Sequence, residues 1–185
     1  MTNSADLKPV QLANFGDAAN IVELVNASYR GETSKRGWTT EADLLGGQRT
    51  DLNAIEDIIR DPHSVLLTLR NKDTSELLAC VQLEKKNSTI AYLGMLTVSP
   101  QLQAAGLGRF LLKAAEDYVH KEWGSREVEM TVISHRVELI QWYQRRGYEV
   151  IPGERRPFPS HDPRFGIPKR EDLDFVVLKK HLKNI

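Results

Sequence analysis

The segment Leu93-Gly-Met-Leu-Thr-Val-Ser-Pro-Gln-Leu-Gln103-Ala-Ala-Gly106-Leu-Gly108-Arg109-Phe-Leu-Leu112 joins three elements in one continuous run. A strand-like run, Ile90–Val98, is stopped by Ser99-Pro100 and enters a turn with two closely spaced glycines. A long helix follows over Leu107–Trp123. Its positions Leu107, Phe110, Leu111, Ala114, Ala115, Tyr118 and Val119 make one apolar stripe. Backbone N–H groups at a helix start have no partner in the helix, and the helix dipole favours negative charge there. Small residues (Ala104, Ala105, Gly106, Gly108) allow an anion close to the backbone, so the turn reads as a phosphate cradle. A Gly-x-Gly taken alone more often only joins a strand to a helix. The dinucleotide fingerprint lacks its third glycine here, and the P-loop lacks its Gly-Lys-Ser/Thr ending.

Upstream, the chain alternates. Pro9–Leu12 reads as a short strand. Ala18, Ile21, Val22, Val25 and Tyr29 then have helical spacing, with Asp17 as the expected cap. Asp51 is expected to cap a second helix through Leu52, Ile55, Ile58 and Ile59, stopped at Asp61-Pro62. The runs Val65–Leu69, Leu77–Leu83 and Ile90–Val98, separated by polar turns, predict an antiparallel meander. Downstream, Val128, Met130 and Val132 alternate as a strand. With the third run and the long helix they form a β-α-β crossover with parallel strands. A helix over Arg136–Arg146 is expected to end at Gly147, and Tyr148–Ile151 and Phe175–Leu178 are the expected last strands. Two segments stay irregular in this reading: Gly31–Thr50, and Pro152–Pro168, which holds five of the eight prolines.

Composition sets the class. At 185 residues, 41% hydrophobic and 27% charged, the chain fits one globular domain, 1–185, with an α/β (α+β) fold. Twenty-five basic residues match twenty-five acidic ones, which argues against a nucleic-acid binder. No apolar run approaches the roughly 20 residues of a membrane helix, and Met1–Val10 has no pattern of a secretory signal. The single cysteine, Cys80, lies in an apolar run and reads as a core residue of a protein in a reducing, cytoplasmic setting. The five histidines show no metal-ligand spacing, so no metal is expected.

Gln103-x-x-Gly106-x-Gly108, in its strand-turn-helix setting, resembles the Gln/Arg-x-x-Gly-x-Gly/Ala signature of the GNAT superfamily of N-acetyltransferases. Glu138-Leu-Ile-Gln-Trp-Tyr143-Gln-Arg-Arg-Gly147-Tyr148 resembles that family's tyrosine-bearing helix, which ends in Gly-Phe/Tyr. The element order is similar over nearly the whole chain. The resemblance implies a mixed sheet of about seven strands with an antiparallel meander, flanked by about four helices. It also implies acetyl-CoA as acyl donor and direct attack by a primary amine. The resemblance carries as well the expectation of a homodimer, as in many relatives.

By resemblance, the amides of Gln103, Ala104, Ala105, Gly106, Leu107, Gly108 and Arg109 hold the pyrophosphate. The Leu96 N–H polarises the thioester carbonyl, and Val98 bonds the pantetheine amides. Tyr143 protonates the leaving thiolate; its alternative is a core tyrosine beside Leu139 and Ile140. Many relatives place a glutamate base on the strand before the cradle, where this chain has Tyr92 and no carboxylate in Ile90–Val98. Glu84, Glu41 and Asp43 are the alternatives, beside deprotonation by water. Trp38, Glu41 and Asp43 are expected to meet a cationic acceptor. Phe158 and Phe165 serve either the acceptor site or packing and a dimer contact. Arg145-Arg146 and Arg155-Arg156 read chiefly as solvated basic residues, with contact to the cofactor's 3′-phosphate as the alternative. Two alternatives stand beside the acetyltransferase reading: a silent acetyl-CoA-binding module, and a transferase of another acyl group.

Overall fold

The computed structural model describes residues 6–182. Met1–Ala5 and Lys183–Ile185 lie outside the described residues. Strand β1 (Gln11–Leu12) is shorter than the expected Pro9–Leu12 run. Helix α1 (Ala18–Tyr29) follows, then the one-turn helix α2 (Gly31–Ser34) and strand β2 (Leu45–Gly46). Helix α3 (Leu52–Arg60) leads into the meander β3 (Ser64–Arg70), β4 (Leu77–Lys85) and β5 (Ile90–Val98). Helix α4 (Leu107–Trp123), strand β6 (Glu127–Ile133) and helix α5 (Val137–Gln144) come next. The chain closes with β7 (Glu149–Pro157), β8 (Ile167–Pro168) and β9 (Asp174–His181).

The two expected caps part company. The Asp51 carboxylate accepts the Ala54 N–H at 2.8 Å, as its position before α3 predicts. Asp17 precedes α1 but makes no side-chain cap. Its carboxylate instead accepts the Asn14 N–H and pairs with Arg70. Arg70, 53 residues away in the chain, is a partner that local pattern does not reveal.

Seven strands form one sheet in the order β1-β3-β4-β5-β6-β9-β7, antiparallel except for the β5/β6 pair. Strand β9 enters between β6 and β7, so β7 and β9 stand in the sheet in the reverse of their chain order. Alternate side chains of the meander serve two cores. Leu66 and Cys80 pack under α1 and α3 with Ile21, Val25 and Ile55. Leu67, Leu69, Ala79 and Val81 face α4 through Leu107, Leu111, Ala115 and Val119. Each buried leucine, isoleucine or valine among them contributes about 1.5–3 kcal/mol. Helix α5 packs on the α4 face through Leu139, Ile140 and Tyr143.

The two irregular segments are more ordered than expected. Pro152 and Pro157 lie within β7, which tolerates them because β7 is an edge strand. Strands β2 and β8 pair antiparallel, Leu45 opposite Pro168 and Gly46 opposite Ile167, so the segments zip together. Phe158 packs in a small core with Leu45, Ile133 and Leu173. No helix among the described residues is long and apolar enough to cross a membrane.

Candidate active site

The site begins with a fault in β5. Gln82 lies opposite Gly94 and Cys80 opposite Thr97, so β5 carries one residue more than β4 between these pairs. Met95 absorbs the difference at φ +52, a left-handed conformation that costs a non-glycine residue about 1–3 kcal/mol. On its other side, β5 pairs with β6 only through Ile90, Ala91 and Tyr92. Beyond Tyr92 the two strands part. A wedge opens along Leu93–Val98, with the backbone of Leu96 and Val98 on its flank. Two hydroxyls from α1 brace this edge: Tyr29 donates to the Leu96 carbonyl at 3.0 Å, and Ser28 to that of Val98 at 3.3 Å.

The cradle follows. Pro100–Ala105 form a 3-10 turn, and Gly106, at φ +81, turns the chain into α4. A Cβ on Gly106 would meet no protein atom within 4 Å; it would project into the open cradle. No side chain caps α4, so its first-turn N–H groups have no side-chain acceptor. The Gln103 amide donates weakly to Val98 O at 3.4 Å, and its buried Oε1 lacks a partner among the described residues. Arg109, Arg145 and Arg146 border the cavity outside the turn, with Ala104, Gly106 and Trp142. Free helix-start amides, a left-handed glycine and three arginines suit a diphosphate. Arg146 is not merely solvated: it stacks 3.6 Å over Trp142 and donates to the Trp142 carbonyl.

A narrow slot of about 90 Å³ runs inward from the cradle between Val98, Gly108, Trp38 and Trp142. On the far side of Leu96 opens a wider chamber of about 410 Å³. Both are lined by Tyr29, Leu96, Arg136, Leu139 and Tyr143. Tyr143 is 5% exposed and makes edge contacts with Trp142 and Tyr148. Burial raises its phenol above the ordinary value, so it stays a proton donor at physiological pH.

The expected acceptor residues separate. Trp38 lies at the slot, 6.3 Å from Trp142 between ring centroids. Glu41 is in the chamber wall, but one carboxylate oxygen accepts from Arg30 at 3.0 Å and the other from Arg136 at 2.9 Å. Asp43 points to solvent beside Lys35. Glu84 shares a face of β4 with Gln82, which lines the chamber, but sits one step farther out and pairs with Lys86 at 2.9 Å. Phe158 and Phe165 both border the chamber, Phe158 stacked on Phe175. Tyr92, at the position read for a base, exchanges a 2.8 Å hydrogen bond with Thr131.

Tyr29, Arg30, Arg49 and Arg136 escape sequence reading. Arg136 and Glu41 are 95 residues apart, and no spacing announces a pair at that range. The one available signal is the ring of Tyr29, which ends the apolar stripe of α1 and meets the guanidinium groups of Arg49 and Arg136, each 5.6 Å away.

With this geometry in place, the class follows. Residues 21–148 match the acetyltransferase (GNAT) family, and the chain belongs to that family. No curated protein sequence matches it. Among solved structures, it is similar to a protein of Streptococcus mutans at TM-score 0.70 and 15% identity, covering 95% of this chain and 100% of that one. Spermidine N-acetyltransferase from Vibrio cholerae, in complex with CoA and spermine, is similar at TM-score 0.69 and 15% identity, covering 96% of each chain. An N-acetyltransferase from Staphylococcus aureus is similar at TM-score 0.69 and 12% identity, over 96% of this chain and 99% of that one. At such identities these likenesses speak for the fold.

Proposed function

We propose that this chain transfers an acetyl group from acetyl-CoA to a primary amine, by direct attack within a ternary complex. The observation that carries the reading is the wall shared by the slot and the chamber, with Leu96 and Tyr143 in both linings. Two reactants entering from opposite sides meet at that wall, which converts a bimolecular encounter into a positioned one.

Acetyl-CoA supplies an activated acyl carbon, and the chain's residues do the positioning. The amides of Gln103 through Arg109 hold the pyrophosphate, and Arg109 and Arg146 add charge beside it. The β5 edge at Val98 binds the pantetheine amides; its carbonyl accepts only long bonds from Ser28 and Gln103, and the weaker 3.4 Å bond from Gln103 is the one to give way. The Leu96 N–H, fixed by the bulge and by Tyr29, donates to the carbonyl oxygen as negative charge develops there. As the C–N bond forms and the C–S bond breaks, the Tyr143 hydroxyl gives its proton to the sulfur. The chamber's one carboxylate, Glu41, is held by two arginines, so the ammonium proton leaves to water in the open chamber.

The fold gives this account its frame, and the roles are tested by kinetics. Free CoA thiol should appear from acetyl-CoA only when an amine acceptor is present. Thiol release at the same rate with and without every amine would overturn the transfer reading.

A further inference from the structure

The chamber has an unusual charge account. Its wall carries Arg30, Arg49, Arg136 and Arg156 against the single carboxylate of Glu41. Arg156 is matched by Glu129. Glu41 is shared between Arg30 and Arg136, which leaves one positive charge on that trio. Arg49 adds a second: it lies over the Tyr29 ring and has no carboxylate partner among the described residues.

The unpaired donors are buried. The side chains of Arg30 and Arg136 are 6% and 10% exposed. Nε and Nη1 of Arg30 and Nε of Arg136 have no hydrogen-bond partner among the described residues. A guanidinium does not lose its proton in a protein, so these enclosed groups leave the trio's positive charge poorly compensated beside the chamber. Burial lowers the Arg30 pKa first, and Arg49 and Arg136 lower it further against the opposing pull of Glu41. A polyamine would bring more positive charge into this space and find both Glu41 oxygens engaged.

We propose that the acceptor is an amine that also carries an anionic group, a carboxylate or a phosphate, held in the chamber by Arg49 and by the uncompensated positive charge of the Arg30–Glu41–Arg136 trio. This rests on the acetyltransferase reading above. The anion anchors one end of the acceptor at the arginines and leaves the amine to reach the wall at Leu96. Planar guanidinium forks suit both kinds of anion, and rim acids such as Asp43 take no part.

Matched acceptors test it. Acetyl-CoA-dependent thiol release is measured with glutamate, glycine and β-alanine against their amides, with O-phosphoethanolamine against ethanolamine, and with putrescine and spermidine. The anionic member of at least one pair is expected to exceed its neutral partner about 10- to 100-fold in kcat/KM, the scale of a hydrogen bond to a charged group. The carboxylate and phosphate arms show which anion is preferred. In Arg49→Gln, KM for that acid should rise about tenfold or more, and the preference for the acid over its neutral partner should shrink toward one. Equal use of acid and amide, or preference for putrescine or spermidine, would overturn the proposal and leave the acetyltransferase reading standing. If no amine is acetylated, that reading fails instead. Calorimetric titration of the same pairs into the wild-type protein with CoA then decides this one: tighter binding of the acid supports it, equal binding refutes it. The titration also serves if Arg49→Gln fails to fold.

Discussion

The Tyr29 hydroxyl donates to the Leu96 carbonyl oxygen at 3.0 Å, tying the last residue of α1 to the residue beside the left-handed Met95. A bulge with one strained residue has no single depth of its own; the phenol fixes it from outside the sheet. Tyr29→Phe removes only that hydrogen bond and should cost about 1 kcal/mol of stability. In the proposed mechanism Leu96 addresses the reacting carbonyl, so kcat should fall roughly tenfold or more while the affinity for acetyl-CoA changes little. Steady-state kinetics beside equilibrium cofactor binding separates the two effects.

Tyr143→Phe keeps the ring that packs against Trp142 and Tyr148 and deletes the proposed proton donor. Loss of a positioned general acid should lower kcat about 10²-fold or more with the Kd for acetyl-CoA unchanged. Unchanged turnover would return Tyr143 to a packing role.

Gly106→Glu places a carboxylate and a Cβ in the open cradle, at a backbone φ of +81 that L-residues avoid. Acetyl-CoA should then no longer raise the melting temperature, although it raises that of the wild type. Retained affinity would move the pyrophosphate elsewhere.

Glu41 balances two buried guanidinium groups at once. Glu41→Gln leaves both without a counter-charge and should destabilise the fold by about 3–5 kcal/mol in urea denaturation. A loss below about 1 kcal/mol would mean that the trio is solvated in solution.

Cys80, fully buried under α1, has its thiol pushed up from 9.0 to about 12 by burial. Burial likewise raises the phenols of Tyr29, Tyr143 and Tyr148. In each case the folded state holds its proton more tightly than the unfolded chain. The stability these groups contribute is therefore complete below their ordinary values, and it is lost as pH rises toward the folded ones. Unfolding free energies from urea titrations should be flat up to about pH 8.5, then fall by about 1.4 kcal/mol per pH unit for each group engaged. Cys80→Ala should remove the earliest part of the decline.

Local periodicity made most elements readable. The meander, the β5-α4-β6 crossover and the glycine after α5 stand close to where alternation, the 3.6-residue stripe and Gly147 put them. The cradle was readable for the same reason, since strand, turn and helix are contiguous. The bulge at Met95 was not, because Ile90–Val98 is a near-continuous apolar run in which no change of alternation can be seen. Nor was the β2/β8 ribbon, which joins Leu45 to Pro168 across most of the chain. The acceptor wall depends on such distant meetings, Arg136 with Glu41 above all, and its charge balance could be counted only once the fold had assembled it.

Thiol release from acetyl-CoA by the wild-type protein, followed with and without an anionic amine, tests the central claim most directly. Amine-dependent, saturable release with the acetylated amine recovered as product is the predicted result. Release that ignores the amine, or none with any acceptor while acetyl-CoA still binds, would contradict the account and leave a cofactor-binding domain without transfer.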